Sequence, residues 1–392
     1  MIVRQFLHWL RSAPAGDRAD ATATLARAYL YSDLTAADRA AFEGVMIVLL
    51  DDPSPMVRRA LAETLAASDQ APPALMLALA SDQPKIANIV LECSPLLLDS
   101  DLIDLLGKAP ESAQPAIARR AELPRSVAAA LAETATAEAC LVLLENESAD
   151  IAPFSLDRIA ARHAHLPALR EALLTRKDLP ATTRQVFVAQ LSQKLAGFVT
   201  SRDWLPPDRA ERIAKEACEK ATIALAADTG KTEVRPLIRH LRETGQLTAG
   251  LLLRALLSGN VSLFEEALAD LSGLPIARVI SLVHDKRHSG LRAVYEKAGL
   301  PASAFPGFRE AIGTMHEDGV DDDPADATRL RRRMVERVLT GCEDAPLAEI
   351  EPLLTLLRRF ATEAAREEAR LLCSELMDGL LPMIATRLSR AA

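Results

Sequence analysis

Aromatic side chains are scarce. Phe, Trp and Tyr make up 4% of the 392 residues, and only two are tryptophans. A fold that recognises nucleic-acid bases by stacking is disfavoured on that count alone. Long apolar runs are missing too. The longest are 45–50 and 74–80, against the ~18 consecutive apolar residues of a membrane-spanning helix. Cysteine is limited to Cys93, Cys140, Cys218, Cys342 and Cys373, and the nearest pair is 31 residues apart. That spacing excludes CxxC redox motifs and zinc ribbons. It predicts unpaired, mostly buried thiols in a reducing cytoplasm. No phosphate-binding GxxxxGK[ST] loop, GxGxxG turn or GxSxG elbow occurs, so the commonest nucleotide and hydrolase signatures are excluded.

The charge balance is mildly acidic, with 46 Lys and Arg against 54 Asp and Glu and a net charge of −8. The acidity is spread over both halves, and there is no basic arm. Phosphate neutralisation, the main term in nucleic-acid binding, is therefore weakly supported. The segment 1–10 places Arg4 and His8 among Ile2, Phe6, Leu7, Trp9 and Leu10. Its apolar core is too short and interrupted for a signal peptide. It reads as an amphipathic first helix, with attachment to a membrane surface as the minor alternative.

What the chain has in abundance is Ala and Leu, about a third of all residues. These are strong helix formers. Val, Ile and Thr do not dominate and no regular alternation occurs, which argues against a β-sandwich or barrel. Helical periodicity runs almost end to end, punctuated every ~10 to 20 residues by Pro, Gly, Asp or Ser.

The most informative stretch is 51–65, Asp-Asp-Pro-Ser-Pro-Met-Val-Arg-Arg-Ala-Leu-Ala-Glu-Thr-Leu. Asp52 and Ser54 are natural cap residues, and Pro55 suits a first helical turn. Val57, Leu61 and Leu65 fall at i, i+4 and i+8 and form one apolar stripe. Ala60 and Thr64, also four apart, are small enough to let a neighbouring helix approach. The segment resembles the second helix of a HEAT repeat, with Asp52, Val57, Arg58 and Ala60 in place. That resemblance implies that Arg58 pairs with an acid of a neighbouring repeat.

Fainter echoes follow. A helix restarts at Ser81-Asp82-Gln83-Pro84 without the arginine. Arg120-Ala-Glu122-Leu123-Pro124 and Arg176-Lys-Asp178-Leu179-Pro180 repeat one pattern 56 residues apart. In each, the proline opens a new helix, 126–133 and 182–195. Such self-similarity points to a solenoid, in which stacked units supply the core that one unit cannot.

After Phe198 the pattern changes. Pro206-Pro207-Asp208 opens a longer helix through Ala227. Gly245, Gly259, Gly273 and Gly299 then each close a helix, and Pro275 and Pro301 open the next. This run, 245–308, is similar to an uncharacterised alphaproteobacterial domain-of-unknown-function family, number two-three-three-six. The likeness implies a HEAT-like helical architecture over roughly 30–310 and carries no catalytic residues.

In the tail, the acidic stretch 317–326 is followed by Arg329, Arg331, Arg332, Arg333 and Arg337, with Leu330, Met334 and Val338 inward. This reads as an acidic helix start and a basic outer face; a docking or regulatory segment is the competing reading. Leu372, Leu376 and Leu380 form an i+4 stripe for internal packing or, alternatively, a dimer seam.

Candidate chemistry is thin. His284 and His288 stand at i and i+4, a spacing that can hold a metal on a helix. Asp285 replaces the Glu of the metalloprotease pattern, and Ser289-Gly290 marks a helix end or loop. The expectation is therefore no metal and no cofactor. Lys286, Arg287, His288 and Arg292 form a donor-rich corner suited to an anion or a partner. His163 and His165 lie two apart and point away from each other on a helix. The acid pairs 265–266 and 367–368 read as solvated faces.

The expected architecture is an all-α, right-handed HEAT-like helical-repeat solenoid with a C-terminal helical module. Repeats are expected over 1–200, irregular helical repeats over 201–316 and the tail module over 317–392. The expected function is a non-catalytic, cytoplasmic scaffold that binds another protein, with a homodimer through the C-terminal helices as a further option. A ligand- or nucleotide-responsive sensor using the corner at 286–292 is the alternative. A HEAT-like DNA-processing enzyme comes third, against the acidic balance and the few aromatics.

Overall fold

A computed structural model describes residues 8–318 except 11, 109 and 286–288, and beyond them 333–338, 340, 354–355, 357–363, 365–366, 369–370 and 373. Among these residues every regular element is helical. The chain forms two compact units, Met1–Pro180 and Ala181–Ala392. The stripe Leu372, Leu376 and Leu380, the acidic residues 319–326, Leu330 and Glu367-Glu368 lie outside the described residues.

The first unit contains α1 (Ala15–Tyr31), α2 (Ala36–Leu49), α3 (Pro55–Leu65), α4 (Pro73–Ala80), α5 (Pro84–Cys93) and α6 (Asp99–Lys108). A 3-10 turn at Glu111–Ala113 leads to α7 (Gln114–Ala118), followed by α8 (Arg125–Thr134), α9 (Ala137–Glu145), α10 (Pro153–His163) and α11 (Pro167–Thr175). Pro occupies the first turn of α3, α4, α5, α10 and α11, where its fixed φ fits and its missing N–H is not needed. Alternate helices pack on one another: α1, α3, α5, α7, α9 and α11 form one series, and α6, α8 and α10 a second.

Helix α3 shows how the sequence produces this. Val57, Leu61 and Leu65 are wholly buried, as their spacing predicts, each contributing ~1.5–3 kcal/mol of apolar burial. Ala60 and Thr64 are half-buried, and the Thr64 hydroxyl donates to the Ala60 carbonyl at 2.7 Å. Arg58 donates to both oxygens of Asp82, at 2.6 and 3.0 Å, and to the Asp52 carbonyl at 2.6 Å. The acid anticipated for Arg58 is therefore the one that precedes α5. Ser54 holds the N-cap position, but its side chain caps nothing. Asp52 instead accepts from the Ser54 N–H at 2.8 Å and from Arg18 at 2.8 and 2.9 Å. The Asp52 carboxylate thus serves a guanidinium and a backbone N–H at once.

The same device recurs along the unit. Arg120 donates to the carbonyls of Leu91 and Ser94, both at 2.6 Å. Arg162 donates to those of Ala132 and Ala135, both at 2.7 Å. Arg176 reaches the Leu144 carbonyl at 3.1 Å. Each closes the C-terminal end of an earlier helix, where carbonyls lack intrahelical partners. The repeated Arg-x-acid-Leu-Pro pattern thus supplies two of these clamps. Asn146 adds another, donating to the carbonyls of Ala118 and Arg120 at 2.9 and 2.8 Å.

The second unit opens with α12 (Ala181–Ser201) and α13 (Pro207–Asp228), which pack along each other as a long hairpin. Helix α12 runs six residues beyond the expected end at Leu195. Then follow α14 (Lys231–Glu243), α15 (Ala249–Leu257), α16 (Val261–Ser272), α17 (Ile276–Val283), α18 (Ser289–Lys297), a 3-10 turn at Ala302–Ala304 and α19 (Phe305–Asp318). Alternate packing continues here as α12–α14–α16–α18 and α13–α15–α19. Gly245, Gly259, Gly273 and Gly299 all adopt φ of 69–80° just past a helix end, the left-handed conformation predicted for them. Phe264 stacks on Phe308 at 5.4 Å between centroids. Tyr295 packs beside Phe308 and donates to the Pro301 carbonyl at 2.8 Å. In the tail, Met334, Val335 and Val338 are buried while Arg333 and Arg337 face outward, as the periodicity predicts.

The thiols differ from expectation. Cys140 is buried and Cys218 half-buried, but Cys93 and Cys373 are exposed. Cys93 ends α5, where the apolar stripe of that helix has turned away from it.

Two stability predictions follow from these contacts. Burial pushes the Asp82 carboxyl up, but hydrogen bonds from Arg58 and from the Gln83 N–H, together with the Arg58 charge, carry it below its usual value. Its contribution is complete above the unfolded pKa of ~3.9 and is lost as pH falls through the lower folded value. Arg58→Ala is expected to cost about 2 kcal/mol in urea melts at pH 7, and the gap to wild type should narrow below about pH 4. Gly290 is constrained by close approach. A Cβ there would stand 3.1 Å from the Leu282 carbonyl oxygen and 3.3 Å from its Cα. Gly290→Ala should lower stability by about 1–3 kcal/mol in a thermal melt.

Candidate functional site

Two features of the second unit gather functional groups. The first is a cleft of about 860 Å³ between α12, α13 and the turn joining α14 to α15, within the ~300–1,000 Å³ typical of small-molecule sites. Ala189, Ala196, Gly197 and Ala214 form small apolar walls on the two long helices, and Leu241 and Leu251 close the inner end. Ser192, Gln193, Glu211, Lys215, Cys218 and Glu219 supply its polar lining. The small residues on facing turns of α12 and α13 leave room between two helices that otherwise pack closely.

Behind Glu219 lies Arg254, a buried cation on α15. Its Nη1 is 2.7 Å from Glu363 and its Nε 3.5 Å from Glu219, and the guanidinium sits 4.1 Å above the Phe360 ring. Among the described residues, Nε and Nη2 have no hydrogen-bond partner. Glu216, two residues before Cys218 on α13, pairs with Arg359. Burial pushes the Glu219 carboxyl up; Arg254 and Lys215 oppose this, yet it stays above its usual value. Burial likewise pushes the Cys218 thiol up, which disfavours the thiolate needed for nucleophilic chemistry.

The second feature is a corner where α16, the end of α17 and the last turn of α19 meet. Glu265, on α16, is buried, and its Oε1 is 2.7 Å from His284 Nε2. His284 Nδ1 is 3.2 Å from His316 Nε2. The reading of 265–266 as a solvated pair is therefore wrong for Glu265, which points into the unit, while Glu266 pairs with Arg235 at 2.9 Å. Neither the acid nor His316 was identifiable from the sequence, because they lie 19 and 32 residues from His284. His284 itself sits at the C-cap of α17, in keeping with the helix end read there.

Of the donor-rich corner, Lys286, Arg287 and His288 lie outside the described residues. Arg292 is engaged locally, 2.9 Å from Glu296 and 5.9 Å above the Phe305 ring. His163 ends α10, where burial, then the Arg162 charge, pushes its imidazole below the usual value. Among the described residues, no group of three or more His, Cys, Asp and Glu side chains is arranged to hold a metal ion. No helix among them is long and apolar enough to cross a membrane.

The buried arginine sets a testable expectation. Arg254→Ala removes the partner of Glu219 and Glu363 and should cost about 3–5 kcal/mol, read from chemical denaturation. Glu219→Gln leaves the contact with Glu363 intact and should cost less.

Neither the curated proteins nor the solved structures contain a match to this chain. A family model does match, over residues 86–348, which takes in most of both helical series and the glycine-punctuated run. By that match the chain belongs to the family of uncharacterised proteins conserved in bacteria, DUF2336.

Proposed function

We propose that the chain is a non-catalytic, cytoplasmic scaffold of the HEAT-like solenoid type that binds another protein. Alternate-helix packing and the arginine clamps between alternate helices support the architecture. The observation that carries the binding role is the outer side of the α12–α13 hairpin. Leu191, Leu195 and Phe198 recur along one side of α12, opposite the cleft, and are about half exposed, at 59%, 52% and 46%. Trp204 at the hairpin turn and Ile213 on α13 extend the apolar surface. Arg202 lies over both Phe198 and Trp204, at 4.9 and 6.0 Å. Clustered exposed apolar groups with a Trp and an Arg are typical of protein-binding hot spots.

A ligand-responsive regulator is the second reading, favoured by the cleft on the other side of the same helix.

The test is affinity capture from native lysate at mild salt, with wild type and a Phe198→Ala/Trp204→Ala double variant of equal melting temperature. A stoichiometric partner is expected to lose at least ~30-fold in affinity for the variant, the scale of a 2 kcal/mol hot spot. Recovery of no partner, or equal recovery by both proteins, would overturn the scaffold reading.

A further inference from the structure

In the corner of Glu265, His284 and His316, two imidazole nitrogens face each other and a carboxylate stands behind one of the rings. Glu265 is fixed in the core by its neighbours Phe264, Ala267 and Leu268, all wholly buried. Its oxygen is 2.7 Å from His284 Nε2, and as a carboxylate it accepts the proton of that nitrogen in the neutral imidazole. The other nitrogen, Nδ1, then bears a lone pair. A carboxylate behind a ligating imidazole is the usual arrangement by which proteins set tautomer and ring orientation for a metal.

That lone pair faces His316 Nε2 across 3.2 Å, with ring centroids 5.3 Å apart and planes inclined by 43°. With metal–nitrogen bonds of ~2.0–2.1 Å, this separation subtends about 100° at an ion, near the tetrahedral angle. Without an ion, a His316 N–H donated to His284 fills the gap. With one, the proton leaves His316 Nε2, by tautomerisation to Nδ1 in the neutral ring or to water from the doubly protonated ring, and each histidine offers one lone pair to the metal. The His284 side chain is 46% exposed, so solvent reaches it.

We propose that His284 and His316 form a two-histidine site for a late divalent transition-metal ion such as Zn²⁺, with Glu265 as the carboxylate that orients His284. Imidazole donors select Zn²⁺, Ni²⁺ and Cu²⁺ over Mg²⁺ and Ca²⁺, which prefer oxygen. Sequence spacing alone pairs His284 with His288; the fold sets His316, 32 residues away, opposite His284. The site ties the end of α17 to the last turn of α19, independently of any partner on the α12–α13 hairpin.

Zn²⁺ titration of the chelator-stripped full chain, against a chromophoric competitor, tests this. One site per chain is expected. His284→Ala and His316→Ala should each weaken it at least tenfold, and Glu265→Gln by about 10–100-fold. His165→Ala, an exposed histidine elsewhere, should leave it unchanged. On the wild type, Zn²⁺ but not Mg²⁺ should protect His284 and His316 from diethylpyrocarbonate, read by mass spectrometry, so a misfolded variant does not decide the outcome. Absence of binding below about 1 mM, alanine variants that bind like wild type, or unchanged labelling would each overturn the proposal.

Discussion

Helices of the first unit between α3 and α11 are at most 11 residues long, below the ~12–15 residues at which an isolated helix becomes even marginal in water. Each also ends in carbonyls that its own backbone cannot satisfy. The arginine side chains meet both difficulties at once. Arg120, Arg162 and Arg176 reach back to carbonyls at the ends of earlier helices, while Arg18 and Arg58 grip carboxylates at later helix starts. These contacts are partly buried, so they are screened less than surface ion pairs. They set the spacing between helices, and the Leu and Ala stripes then fill that spacing.

In the second unit, a different constraint takes over. Turns are fixed by glycines in the left-handed conformation, and side-chain caps from Thr248 and Asn260 start the following helices. The helices of that run stay short, α15 to α18 having 8 to 12 residues, whereas α12 and α13 ahead of it reach 21 and 22 residues. Length leaves much of this hairpin without a covering layer. The cleft on one side of α12 and the exposed leucines on the other both result from it.

The helical class, the proline starts, the glycine stops and the buried stripe of α3 were all legible in the sequence, because each depends on contacts within a few residues. The repeated motif around Arg120 and Arg176 was visible as a pattern, but its role required knowing which carbonyls stand opposite. Asp82 was visible only as a helix start. The corner at His284 was half legible: a histidine at a helix end could be read, but its two partners come from separate helices brought together by packing. Glu265 was misjudged for a physical reason. Two adjacent acids on a helix diverge by about 100°, so Glu265 enters the core while Glu266 lies half-buried against Arg235.

The clamps have a further consequence for how the chain acquires its fold. In the first unit they join residues only 24 to 34 positions apart. Loop closure over such distances is entropically mild, and topologies rich in local contacts fold quickly. Each helix needs only its recent predecessors, so order can propagate along the chain in the direction of synthesis, with little unpaired apolar surface waiting for distant sequence.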